Sequence, residues 1–343
     1  MKVALNANDL RQMLRIATGS TLGFALSKLL NWPYGIFFTV YPMLLLGLVP
    51  MLNAHIVRQF ILSGLVCAFS VLVLQGLFGF HPALMSLLTF ALFAFLFLQM
   101  SKGVNFLFGA MSVVGLSIQL HFASYASTSG GLYSLIASNS LAIIISIATA
   151  YVMHWLFPDV TVRQLPPRPA KDAASIRHEV LLCATVATLS FMVFQTLDLQ
   201  DSVSAQAASI LILFPLSWKA AGTAGWQRAV GTLIGCNLAL AAQILLQTYS
   251  QILLFPILIL WILVFIFSRY HLLSGGAPRI GFGIITTFGI LFGQSLAPNQ
   301  DLIYSALYRF SSVSVAITVS LCAIYLIHRL LNHFSATRHH TYA

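Results

Sequence analysis

The chain has 343 residues, 59% of them hydrophobic, a mean hydropathy of +0.91, and only 17 basic and 7 acidic side chains. Charged residues make up 7% of it, against roughly 25% in soluble domains, so a water-facing surface could not be kept solvated. A soluble globular fold and intrinsic disorder are both excluded.

The apolar runs are long and unbroken rather than alternating, which marks helical spans and not the strands of an outer-membrane barrel. Charges, prolines, glycines and polar clusters cut the sequence into twelve predicted spans, at 14–30, 34–52, 57–78, 83–100, 104–122, 132–157, 180–197, 203–218, 226–247, 252–267, 280–296 and 303–331. Spans of ~20 residues leave roughly eight residues per connection, too few for a soluble domain. The expected fold is an all-α integral membrane protein of about twelve transmembrane helices.

With the N-terminus inside, fifteen of the seventeen cations fall on the inner side, and only Lys28 and Arg309 lie toward the outer side. Lys and Arg accumulate on the cytoplasmic face, so both termini are predicted to be cytoplasmic in a multi-pass protein of the bacterial inner membrane. Asp198, Asp201 and Asp301 fall in outer loops. No short apolar run ends in a small-residue cleavage site, so the first span is expected to act as the insertion signal. Cys67, Cys183, Cys236 and Cys322 each lie inside an apolar run, which predicts packing rather than disulfides or zinc. The net charge of +10 reflects the inward bias of the cations and not a nucleic-acid partner.

The most polar stretch, 158–179, carries Pro166, Pro167, Pro169 and four cations and falls near the midpoint. It reads as a cytoplasmic linker between a first six-helix repeat, 1–157, and a second, 180–343. Features recur across it at offsets of about 166 to 175 residues. Tyr41-Pro42 interrupts span two and Phe214-Pro215 span eight; Arg58 opens span three and Arg228 span nine; Gln119 and Gln294 fall late in the fifth helix of each half. Six spans per half make the repeats parallel, related by an axis along the membrane normal.

The second copy reads Phe214-Pro215, then Trp226-Gln227-Arg228-Ala229-Val230-Gly231-Thr232-Leu233-Ile234-Gly235, an Arg-x-x-Gly-Thr-x-x-Gly spacing. In the first copy, Trp32-Pro33-Tyr34 through Tyr41-Pro42 to Arg58, the Gly is displaced to Gly64 and no Gly-Thr follows the Arg. A Pro-interrupted second helix followed by an Arg and a Gly-rich third helix resembles the fusaric acid resistance and aromatic acid exporter-like superfamily, to which the plant malate channels are related. Arg309, early in the last span, is similar to that family as well. Larger members carry a cytoplasmic domain between the halves, where this chain has only the short linker. The resemblance implies efflux of organic anions, often with a periplasmic adaptor protein.

Among the residues themselves, the two prolines remove backbone donors and free the carbonyls of Phe38 and Leu211. Such groups persist in lipid only where protein or a wet cavity satisfies them, and paired interruptions point to a transport site. Tyr41, Pro42, Phe214 and Pro215 are therefore pathway candidates, as are Gln119 and Gln294. Arg58 and Arg228 are read at equivalent inner helix ends, where a guanidinium fork suits carboxylate or anchors the helix. Arg309 lies inside a span, where an arginine costs up to ~3 kcal/mol; a cavity or an acid such as Asp301, Asp198 or Asp201 is its expected partner. Glycine pairs Gly19/Gly23, Gly231/Gly235 and Gly289/Gly293 predict close helix approach.

No P-loop Gly-Lys, HExxH or GxSxG occurs, so no enzyme, cofactor or metal site is expected. The expectation is an exporter of organic anions with a pathway between the repeats. A passive anion channel of the same architecture, or a membrane-embedded enzyme or assembly factor, are the alternatives.

Overall fold

The computed structural model describes residues 5–125, 129–161, 163, 171–199, 202–246, 252–276, 279–295 and 302–338. Among the described residues twelve α-helices follow one another: α1 (Ala7–Leu29), α2 (Gly35–Leu48), α3 (Ala54–Phe78), α4 (Pro82–Lys102), α5 (Phe106–Ser124), α6 (Ser129–Leu156), α7 (Ala173–Thr196), α8 (Val203–Leu211), α9 (Trp218–Leu246), α10 (Leu254–Leu273), α11 (Ile280–Ser295) and α12 (Leu302–His333). Eight of these are long and apolar enough to cross a membrane. Of the other four, α1 carries Asp9, Arg11, Arg15 and Lys28, while α2, α8 and α11 have 14, 9 and 16 residues. The chain is a multi-pass helical membrane protein.

Local chemistry sets the helix ends. Asn6 and Asp9 form a reciprocal capping box at the start of α1. The Asp172 carboxylate caps α7 through the Ser175 N–H, and hydrogen bonding to Ser175 holds that carboxyl below its ordinary range. Pro82 takes the first turn of α4, and Gly103, at φ +82°, ends it.

Two predicted boundaries move. Span eight stops at Leu211, because Pro215 disfavours helical backbone at Phe214 and the chain turns through Leu216 at φ +58°. The Leu211 carbonyl predicted to be free accepts from the Phe214 N–H at 3.3 Å. Span nine begins at Trp218 rather than at residue 226. Its polar, glycine-containing start is helical because Gly225 lies against α12, where a Cβ would meet Ile317 and Leu321 at 3.1 and 3.0 Å.

The described chain forms two compact units that cut across the sequence halves: Met1–Val57, Ala137–Gln164 and Gln227–Ser311 make the first, and Arg58–Ile136, Leu165–Trp226 and Ser312–Ala343 the second. In the first, α1 packs on α2 and α10, α2 on α11, and α10 on α11. In the second, α7 packs on α8 and α4, α8 on α5, and α4 on α5. Shifting every helix by six positions turns one set of pairs into the other.

Each unit is built around a short, enclosed helix. Twelve of the fourteen residues of α2 are buried, as are eight of the nine of α8. The Phe38 carbonyl, which Pro42 deprives of its helical donor, faces α1 at Gly23, where a Cβ would stand 1.9 Å from the oxygen. On its other side α2 meets α11 at Gly293, where a Cβ would lie 3.0 Å from the Ile36 Cα. Gly23 of α1 and Gly293 of α11 thus admit α2 at backbone contact, with a Cα–H against the freed carbonyl.

Polar clasps close one end of each unit. The buried Arg15 donates to the Phe157 carbonyl and to Asp159, both at 2.8 Å, and Arg163 reaches the same carboxylate at 3.5 Å. Gln12 donates to the Leu46 carbonyl at 3.1 Å, fixing the end of α2. In the second unit Arg177 donates to the Ala336 carbonyl at 3.0 Å, and His178 Nδ1 lies 2.7 Å from that of Thr337. There the buried Glu179 accepts from Ser101 at 2.6 Å and from Lys171 at 2.7 Å. The first helix of each half therefore grips the segment that follows the last.

Gly23→Ala should lower stability by about 1–3 kcal/mol or more, since an overpacked backbone contact cannot relax by side-chain rotation. Gly76→Ala in α3, with nothing within 4 Å of the added carbon, should be neutral or stabilising, up to about 1 kcal/mol by helix propensity. Thermal aggregation midpoints of the two purified variants check this; equal midpoints would refute the contact.

Candidate functional site

The first unit carries two arginines buried on long apolar helices. Because α9 starts at Trp218, Arg228 stands ten residues along it, about 15 Å from the helix end at 1.5 Å per residue. Its side chain is 8% exposed, so it is not the interfacial cation its sequence position implied. Gly231 and Gly235 bring α9 onto α11, where a Cβ would meet the Ile280 and Ile284 carbonyls at 2.8 and 3.0 Å. That approach sets Arg228 Nη1 2.8 Å from the Thr286 hydroxyl, which donates in turn to the Phe282 carbonyl at 2.8 Å. Among the described residues no carboxylate forms an ion pair with Arg228, and its Nε has no partner.

Arg309, on α12, is likewise 8% exposed. Cys236, two turns beyond Arg228 on α9, lies within electrostatic reach of both guanidiniums. Thr232, one turn from Arg228, has a buried hydroxyl without a partner. The arrangement concentrates positive charge and hydroxyls in a low-dielectric setting, which favours an anion. Thr232 and Thr286 were absent from the sequence-derived candidates. Thr232 had a signal in the Arg-x-x-Gly-Thr spacing, which puts it four residues after Arg228 on the same helix face; Thr286 had none.

The remaining candidates are dispersed. Arg58 is exposed in the second turn of α3 and belongs to the second unit, so its equivalence with Arg228 does not extend to burial. Tyr41 and Pro42 lie buried in α2, where the Tyr41 hydroxyl donates to Asn139 Oδ1 at 2.5 Å. Phe214 is buried edge-on to Phe106 at 6.4 Å, whereas Pro215 is exposed and lies beyond α8. The side chain of Gln294 lies outside the described residues, as do Asp201 and Asp301.

In the second unit, Gln119 on α5 is fully buried, and neither its Nε2 nor its Oε1 has a partner. Two residues on, His121 Nδ1 lies 2.7 Å from Gln206 Oε1 of α8, whose Nε2 is also unpartnered. Ser112 and Ser117 add two more unpartnered buried hydroxyls to α5. Unsatisfied groups at this density call for water or a ligand, so α5 and α8 hold the buried polar groups of the second unit. Among the described residues no three His, Cys, Asp or Glu side chains converge to hold a metal.

Residues 12–153 match a protein family of unknown function, DUF2955, and residues 187–323 match the fusaric acid resistance protein-like family. No curated protein and no solved structure matches the chain. The second match takes in Arg228, Thr232, Thr286 and Arg309, while Tyr41, Pro42 and Arg58 fall within the first. The resemblance read from the Arg-x-x-Gly-Thr-x-x-Gly spacing is borne out for the second half: residues 187–323 are similar to the fusaric acid resistance protein-like family, within a multi-pass helical membrane protein.

Proposed function

We propose that this protein exports organic anions, aromatic or other carboxylates, across the bacterial inner membrane with both termini cytoplasmic, along a pathway lined by two six-helix repeats. The observation that carries the reading is Arg228, buried in a span and bonded to a hydroxyl. An arginine at such depth is costly and marks a cavity or an ion path, and its planar fork matches a carboxylate. Arg309 adds a second charge near Cys236, and the second unit has its own buried hydrogen-bonding groups on α5 and α8. The pairing of helices supports the repeats, since the same four contacts recur after a shift of six.

Orientation is tested by cysteine labelling. With the N-terminus inside, Phe80→Cys in the α3–α4 connection should react with an impermeant maleimide in intact cells, and Ala173→Cys only after permeabilisation. Reaction of both from the same side would refute the twelve-helix topology.

Arg228→Gln and Arg309→Gln should each lower carboxylate flux in proteoliposomes about tenfold or more, as expected for losing a charge-assisted bond of ~1.5–3 kcal/mol. Thr232→Val should act in the same direction with a smaller effect, and the exposed Arg58→Gln should stay within about twofold. Flux equal to wild type in both buried-arginine variants would make these cations structural and end the anion reading.

A periplasmic adaptor is the proposed partner, because the α1–α2 and α3–α4 connections have only five and three residues and cannot span a periplasm. Cross-linking in native membranes should recover such an adaptor. Recovery of the chain alone, with full export after reconstitution without it, would refute the partner.

A further inference from the structure

The second unit holds a cavity that shares no residue with the arginine cluster. The start of α9 and the end of α12 border an open groove of about 460 Å³ in the second unit, lined by Trp218, Tyr325, His328, Arg329, Asn332 and His333. Trp218 is the first residue of α9, and the other five lie in the last turns of α12, so the cavity sits where two long spans leave the membrane. None of the six is acidic.

Its walls are fixed by contacts within the protein. Trp218 stacks on His328 with centroids 6.1 Å apart and meets Tyr325 at 5.3 Å. His328 Nδ1 lies 2.9 Å from His178 Nε2, and His328 Nε2 lies 3.0 Å from the Asn332 amide. The Arg329 guanidinium rests over the Tyr325 ring at 5.1 Å. A site so held loses little freedom on binding. The partial negative charge at the end of α12 opposes an anion, but a full guanidinium charge in the same turns outweighs about half a charge of dipole.

The flank of the cavity shows what enters it. Leu326 and Leu330, each next in sequence to a lining residue, are 66% and 60% exposed. On a membrane-spanning helix such surface faces acyl chains, so the cationic and aromatic lining adjoins lipid. Basic pockets between spans at this level hold anionic headgroups, and aromatic rings settle there.

We propose that this cavity binds an anionic phospholipid, with the headgroup phosphate against Arg329 and His333, the glycerol region against Trp218 and Tyr325, and the acyl chains along Leu326 and Leu330. By the charge bias of the chain, this is the cytoplasmic leaflet. Free phosphate shares the headgroup chemistry; the apolar flank selects the lipid. The site is separate from the buried-arginine cluster, and its test does not read transport.

The purified full chain in detergent is titrated with phosphatidylglycerol, phosphatidylcholine or inorganic phosphate, and the thermal midpoint is followed, since a ligand that binds only the folded state raises it. Phosphatidylglycerol should raise the midpoint where the other two do not. Arg329→Gln with His333→Gln, both exposed positions, should weaken the apparent phosphatidylglycerol affinity about fivefold or more, the effect of about one basic residue at an anionic leaflet. Lys219→Gln, a neighbouring cation outside the lining, should stay within about twofold, and Arg228→Gln should keep the full response even where transport is lost. Equal responses to the two lipids, the same stabilisation by inorganic phosphate alone, an undiminished response in the double variant, or an equal loss in Lys219→Gln would each overturn the proposal.

Discussion

A guanidinium can stand inside a bilayer only where the protein brings polar groups to it, and here the backbone contact of α9 with α11 does so. Gly231 and Gly235 remove the side chains that would hold the helices apart, which puts the Thr286 hydroxyl within reach of Arg228. A Cβ at Gly231 would meet the Ile280 carbonyl, so the glycine spacing and the arginine form one device. A larger residue at either glycine would leave the charge without its partner at a cost the membrane does not tolerate.

The same logic recurs at α2. Proline frees a carbonyl, and glycine on the neighbouring helix receives it without intervening side-chain atoms. Backbone polar groups in lipid have no water to fall back on, so the interrupted helix must be enclosed, and it is, between α1 and α11. In the second unit the chain solves the problem differently. The proline lies past the end of α8, and the turn bonds its own carbonyls while its hydrophobic side chains are buried.

The all-α class and the helix order were legible in the sequence because long apolar runs have few competing interpretations, although only eight of the described helices are long and apolar enough to cross a membrane. The end of span eight and the start of span nine were not, since the polar and glycine-containing residues 219–225 resemble a connection until Gly225 is seen against Ile317 and Leu321. Arg228 was legible as a candidate from its residue type but not as a buried charge, because its depth depends on that same boundary. The partners Thr286 and Cys236 come from packing between and along helices that periodicity does not resolve. Gln119 was chosen as a match to Gln294, and its full burial without partners belongs to a property that only coordinates reveal.

The interleaving of the two units has a consequence for biogenesis. The unit that contains α1 and α2 takes α10, α11 and most of α9 from the second half of the chain, so it lacks these helices until synthesis is nearly complete. The first six helices must therefore wait in the membrane with Gly35, Ile36 and the Gly47 carbonyl still lacking Gly293 and His271, their final neighbours. Insertion and folding are separated in time, and the late helices of the second half complete a structure that the ribosome began some two hundred residues earlier. A nascent chain of this design spends most of its translation as an unfinished bundle, dependent on insertases and lipid to shield its most closely packing surfaces.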